Sequence, residues 1–209
     1  MKIVVFGASG RTGHPLVEQA LAAGHHVTAF VRDPARLETR HERLTVVQGD
    51  VHDAARVREA VAGQEAVLST LGLAPKGPRD VVSAGTRAIL DAMREHGVSR
   101  VVCESGAGVR TERDPRSAGA AAMTTMLKLV ARDVLRDATA SYQALKASDR
   151  AWVFVRAPRL TEGPRTGQYR TGYLQLGPGA TVSRADVADF MLKELTDDTY
   201  LKQAPMISY

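Results

Sequence analysis

The stretch Ile3-Val4-Val5-Phe6-Gly7-Ala8-Ser9-Gly10-Arg11-Thr12-Gly13 decides the fold. A continuous apolar run that stops at a glycine cluster is the pattern of a strand buried on both faces, as in a parallel sheet. Pro15 follows in what is then the first turn of a helix, where its missing N–H costs nothing. Val17, Ala20 and Leu21 give that helix an apolar stripe, and Gly24 suits its C-terminal cap. A glycine motif carries weight when it sits between strand and helix, as G-x-x-G-x-x-G does here. Gly7 permits the tight turn, Gly10 lets backbone N–H groups reach a pyrophosphate, and Gly13 lets the helix pack close to the strand. The helix N-terminus adds unpaired N–H groups and a positive dipole end. Ser9 and Arg11 lie within the turn, and Thr12 offers a hydroxyl donor. The plainer alternative is a tight strand–helix turn with no ligand.

Strand and helix patterns alternate from there on. His26 to Val31, Leu44 to Val47, Ala66 to Thr70, Val101 to Cys103 and Trp152 to Val155 read as strands two to six. Asp53 caps a helix through Val61, and Gly63 ends it; a further helix around Val82 to Met93 stops at Gly97. A mixed-charge loop follows strand five. After it come an apolar helical stretch from about Ala120 to Leu135, read as core, a lid over the substrate or a dimer contact, and a second helical piece ending near Ser148. The tail holds a loop rich in Gly, Pro and Arg, a helix capped by Ser183 and a short strand near Met206. This is an α/β, doubly wound parallel sheet (a Rossmann fold) in three α/β/α layers, with strand order 3-2-1-4-5-6. Residues 1–209 read as one NAD(P)-binding domain. Ligands of such sheets bind beyond the strand C-termini, where the loops at 7–13, 32–36, 70–80, 103–118 and 156–172 gather. The acceptor site is expected in the loops at about 156–182.

The 209 residues are 44% apolar and 24% charged, ordinary for a globular protein. The lone cysteine, Cys103, excludes an internal disulfide, builds no metal site alone and fits a reducing compartment. No secretory leader is visible, and no run approaches the ~20 apolar residues of a membrane span. A cytoplasmic protein with no membrane partner is expected. The formal charge of +5 comes from scattered arginines interleaved with acids rather than a patch, so nucleic acid is not an expected partner. The expected partner is a small-molecule acceptor, and the chain is a monomer or homodimer.

An acidic residue ending strand two usually holds the ribose 2′-hydroxyl of NAD. Strand two ends here in Arg32, whose guanidinium suits a 2′-phosphate. Arg11 and Arg36 are further candidates for that phosphate, whereas the carboxylate of Asp33 would repel it. The expected cofactor is therefore NADPH, with NADH the weaker ligand; solvated arginines are the alternative. Asp50 suits the adenine amino group and Val51 the adenine ring, unless Asp50 is a plain helix cap. Leu71-Gly72 lets the cofactor pass close to the backbone.

These residues carry a resemblance. Gly7 to Gly13, Val31-Arg32-Asp33 with Arg36-Leu37, Gly49-Asp50-Val51, Val61-Ala62-Gly63-Gln64, His96-Gly97-Val98, Thr166-Gly167-Gln168-Tyr169 and Ser183 to Leu192 resemble the atypical short-chain dehydrogenase/reductase group. That group includes the biliverdin reductase B (flavin reductase) type and the NmrA-like NAD(P)H-binding proteins. The resemblance runs over nearly the whole chain. It implies a nicotinamide near the end of strand five and the loop after strand six, bringing Cys103 and Pro158 to the cofactor. It puts Ser105 in the place of the family's active-site serine, with an N-cap or turn serine as the alternative. The flavin reductases carry a histidine after that proline, whereas Pro158 is followed by Arg159, which cannot act as an acid at neutral pH. Arg159 can still stabilise developing negative charge. Tyr142 and Lys146 have the Tyr-x-x-x-Lys spacing of other short-chain dehydrogenases, but sit too near strand six to reach the cofactor.

The function implied is an NADPH-dependent oxidoreductase passing hydride to a flat conjugated acceptor such as a flavin or quinone. Ser105 and Arg159 would serve the reaction, and Tyr169 and Tyr173 would wall the acceptor pocket. The alternatives are a non-catalytic, NmrA-like NADP(H) sensor and an enzyme of the sugar epimerase/dehydratase kind.

Overall fold

The computed structural model describes residues 1–73, 77–115 and 131–209. β1 (Lys2–Phe6) pairs in parallel with β2 (His26–Val31) on one side and β4 (Ala66–Ser69) on the other. β3 (Leu44–Gln48) flanks β2; β5 (Arg100–Gly106) and β6 (Ala151–Ala157) continue beyond β4. The order β3-β2-β1-β4-β5-β6 is the one that right-handed crossovers predict. Two further strands extend it: β10 (Met206–Ser208) pairs in parallel with β6, and β8 (Arg170–Gly172) pairs antiparallel with β10. β7 (Arg159–Thr161) and β9 (Thr181–Ser183) form a separate parallel pair.

Alternate residues of β1 face opposite layers, as the period of two requires. Ile3 and Val5 pack against α1 (Gly13–Ala22) and α5 (Arg184–Lys193). Val4 and Phe6 pack against α2 (Ala54–Val61), α3 (Val81–Glu95) and α4 (Arg132–Ala147). Each fully buried Val, Ile, Leu or Phe contributes about 1.5–3 kcal/mol relative to leaving it in water. Local chemistry sets the helix ends. Asp53 accepts from the N–H groups of Ala55 and Arg56, and Ser183 accepts from that of Asp186. Gly24, at φ +86°, closes α1 as the C-terminal glycine expected there.

The structure departs from the sequence reading in two places. β5 and β6 run on past Cys103 and Val155, because Glu104 and Arg156 sit inside the sheet rather than ending it. Their charges stop an apolar-run reading, yet each has a partner described below. The tail loop at 156–182 contains three short strands, whose brief runs among Gly, Pro and Arg give no period to read. Most of the apolar stretch at 120–135 lies outside the described residues; α4 spans Arg132–Ala147. Among the described residues, no helix is long and apolar enough to cross a membrane.

Candidate active site at the carboxyl edge of the sheet

The glycine turn leaves the carboxyl end of β1 and is built around Gly7, at φ +78°. The Gly10 N–H donates to the Gly7 carbonyl at 2.8 Å, closing the turn. A Cβ on Gly13 would lie 2.1 Å from that carbonyl oxygen and 2.8 Å from the Ala8 Cα, so only glycine lets α1 start this close to the strand. Thr12 precedes α1 but forms no side-chain cap. Among the described residues, the N–H groups of Arg11, Thr12 and Gly13 donate to no backbone carbonyl. Uncapped donors at a helix N-terminus, over a cradle that a Cβ would fill, fit a pyrophosphate. Ser9 is half-buried within the turn.

Two residues of the turn behave differently from the sequence reading. The Thr12 side chain is buried, and its hydroxyl donates to Glu104 Oε1 at 3.1 Å instead of standing ready for a phosphate. The exposed Arg11 guanidinium pairs with Glu162, which Arg184 also holds at 2.7 Å. Arg11 is therefore tied to the β7–β9 side of the edge and not to the end of β2.

At the end of β2, Arg32 and Arg36 are exposed and make no side-chain hydrogen bond or ion pair among the described residues. Asp33 caps the short 3-10 turn Pro34–Arg36 by accepting from the Ala35 N–H, which turns its carboxylate into the loop. After β3, Asp50 accepts from both the backbone N–H and Nδ1 of His52, and His52 Nε2 lies 3.1 Å from Asp80. These bonds hold the Asp50 carboxyl below its usual range, and the two carboxylates hold His52 above its own. Asp50 thus serves its loop first. Val51 is buried, and Leu71 lies beside it across Gly85, where an added Cβ would come within 2.6 Å of Leu71. Gly72 is exposed, with open space where a Cβ would be.

The second half of the edge is a cleft of about 480 Å³ at the ends of β5 and β6. Its floor is Gly106, Ala107, Ala157 and Pro158; Leu135 of α4 and Leu174 to Pro178 form apolar walls. Among the described residues lining it, the charged ones are Arg110 and Arg159, and none is acidic. Arg110 donates to the Pro115 carbonyl at 3.1 Å, whereas Arg159 is exposed and unpaired among the described residues. Ser105 stands one residue before the lining begins; its half-buried hydroxyl has no hydrogen-bond partner among the described residues.

Three expectations are corrected by these positions. Tyr169 does not wall the cleft: its hydroxyl donates to Asp189 at 2.6 Å and its ring packs on Phe190, in the α1–α5 layer. Burial and the Asp189 contact push that phenol up to about 12. Tyr173 lies over the Arg156 guanidinium, 5.8 Å from ring centroid to Cζ, and the wall is formed by the residues that follow it. Cys103 is buried in the α2–α4 layer with its thiol pushed up to about 12 by burial, so its side chain packs rather than binds. Tyr142 packs on Trp152 and Phe154, and Lys146 pairs with Glu112.

Three charged residues inside the sheet edge were not singled out from the sequence. Arg156 is fully buried and donates to both Asp114 oxygens, at 2.8 and 2.6 Å, and to the carbonyls of Val109 and Ala204. It pins the cleft wall that follows β5 onto β6. Glu104, on the opposite face of β5 from Ser105, is half-buried against Thr12; burial pushes its carboxyl up to about 7. The available signal was a charge inside a β-branched run, in Val102-Cys103-Glu104 and Val155-Arg156-Ala157.

The chain matches the family described as NAD(P)H-binding over residues 7–198. It is 30% identical to cinnamoyl-CoA reductase 1 of Oryza sativa subsp. japonica across 90% of this chain and 64% of that one. It spans less than two thirds of the first curated relatives' length. Among solved structures, a Burkholderia pseudomallei protein described only as a candidate exported protein is 30% identical over 100% of both chains, with a TM-score of 0.76. ChuY, an anaerobillin reductase from Escherichia coli O157:H7, shares the fold at a TM-score of 0.80, with 24% identity over 99% of this chain and 96% of that one. The turn that fits a pyrophosphate lies within the matched span, and the chain belongs to the NAD(P)H-binding family.

Proposed function

We propose that this chain is an NADPH-dependent reductase that passes hydride to a flat conjugated acceptor, such as a flavin or quinone, held in the cleft at the ends of β5 and β6. The observation that carries this reading is that apolar cleft, opening on the same sheet edge as the glycine turn, with Arg159, unpaired among the described residues, on its wall. A bound nicotinamide supplies the hydride. The chain's own residues orient the partners and keep water out. Gly7 to Gly13 would hold the pyrophosphate, and Arg32 and Arg36 the 2′-phosphate. Leu135 and Leu174 would lie against the flat acceptor. Ser105 would donate to the carboxamide or the acceptor, and Arg159 would stabilise negative charge on the reduced acceptor. Such acceptors take their proton from solvent, so no histidine is needed after Pro158. The relative named cinnamoyl-CoA reductase and the fold shared with the reductase ChuY are compatible with reduction.

The test is NADPH consumption with FMN, riboflavin and small quinones. Turnover with at least one of them is expected. Arg159→Ala should lower kcat about 100–1,000-fold, as loss of one charge-stabilising donor does, with little change in cofactor affinity. An unchanged kcat at every pH would remove Arg159 from the reaction. One observation favours a second reading, an NADP(H) sensor: no lining residue described in the cleft is a general acid or base at neutral pH. NADPH binding without turnover on any acceptor is the outcome that reading expects.

A further inference from the structure

We infer that Glu104 is a positioning residue of the cofactor site, and that dinucleotide binding draws a proton from solvent onto its carboxyl. Thr12 is the residue before α1, where a hydroxyl ordinarily caps the first turn. Here it leaves the helix N–H groups open and donates to Glu104 Oε1 at 3.1 Å. A carboxyl from β5 therefore stands directly behind the N-terminus that would receive a pyrophosphate. While that end is empty, a carboxylate there is favoured by the helix dipole. Once a phosphate anion occupies the other side of the same turn, the two negative charges oppose each other across low-dielectric packing.

Among the described residues, little else nearby offsets that charge. β6 presents the apolar Val155 as the register partner of Glu104. α5 presents Arg184, which lowers the carboxyl only in part, being bonded to Glu162, which also holds Arg11. On α1, His14 lies nearest Glu18. The carboxyl is thus poised near neutrality before any ligand arrives, with burial raising it to about 7. A bound dinucleotide raises it further, so binding weakens as the pH climbs past the free protein's midpoint.

The inference rests on a dinucleotide binding at the glycine turn, and not on which acceptor is reduced. NADPH and NADH are titrated calorimetrically into the wild type and Glu104→Gln at pH 6 and pH 8, in phosphate and Tris buffers. The wild type should weaken by up to about tenfold more than the variant over that range, and take up more protons at pH 8, with both cofactors. The difference between the two proteins cancels any titration of the 2′-phosphate itself. Thr12→Val, which keeps the carboxyl and removes its donor, should carry the midpoint upward. The carboxyl ¹³C resonance of Glu104, followed without cofactor, should titrate near neutrality and move up when NADPH is added. Identical pH slopes and proton counts in wild type and Glu104→Gln, or a Glu104 midpoint at the ordinary carboxylate value, overturn the inference. A failed cofactor preference or failed turnover, with this slope difference intact, counts against the proposed function alone.

Discussion

Gly13→Ala is expected to lower NADPH affinity by at least about 100-fold, on the order of 3 kcal/mol. The new Cβ would sit 2.1 Å from the Gly7 carbonyl oxygen and 2.8 Å from the Ala8 Cα, both backbone atoms that cannot rotate aside. Either the turn opens or α1 moves out, and both displace the N–H groups of residues 11–13 from the pyrophosphate. Over-packing of this sort also costs about 1–3 kcal/mol of stability, so the variant should melt lower. Gly72→Ala separates the two effects. Among the described residues nothing lies within 4 Å of the added Cβ, so it should fold normally and lose affinity only if the cofactor passes over that backbone. Calorimetric titration beside thermal melts reads both quantities. A Gly13→Ala protein that binds NADPH like the wild type would remove the phosphate from this turn.

The second large effect is on stability. Asp114→Ala strands the Arg156 guanidinium, which is fully buried and draws its countercharge from that carboxylate. Removing one partner of a buried ion pair costs about 3–5 kcal/mol, because the remaining charge is left uncompensated. The bonds from Arg156 hold the Asp114 carboxyl below its usual range against the burial that would raise it. Arg110 lies 3.7 Å from the same carboxylate, so its charge loses a partner as well. Urea unfolding should show the loss, and Asp114→Asn, which keeps one acceptor, should lose less. Because Arg156 also ties the Val109 carbonyl to β6, the surviving folded fraction should also bind acceptor more weakly. A loss below about 1 kcal/mol would make the pair incidental to the fold.

The fold was legible wherever local pattern and tertiary role agree. β2 begins and ends at the residues read from alternating and apolar runs, and α2 begins behind the Asp53 cap and ends before Gly63. The glycine turn was legible because steric demand there selects one residue type. What could not be read was pairing between distant residues. Arg156 looks like a strand end until Asp114 is brought across the sheet edge, and Glu104 looks like a loop residue until Thr12 lies beneath it. Tyr169 and Tyr173 were placed at the cleft by their position in the chain. β8 instead turns them toward Asp189 and Arg156, and leaves the apolar residues after Tyr173 to face the cleft. Arg32 and Arg36 are exposed and unpaired among the described residues.

The most direct test of the account is equilibrium titration of NADPH and NADH into the wild type and Arg32→Ala. NADPH should bind at least about tenfold tighter than NADH, and Arg32→Ala should erase most of that difference, since a charge-assisted bond is worth about 1.5–3 kcal/mol. Equal affinities in the wild type, or a preference that survives the loss of Arg32, would contradict it.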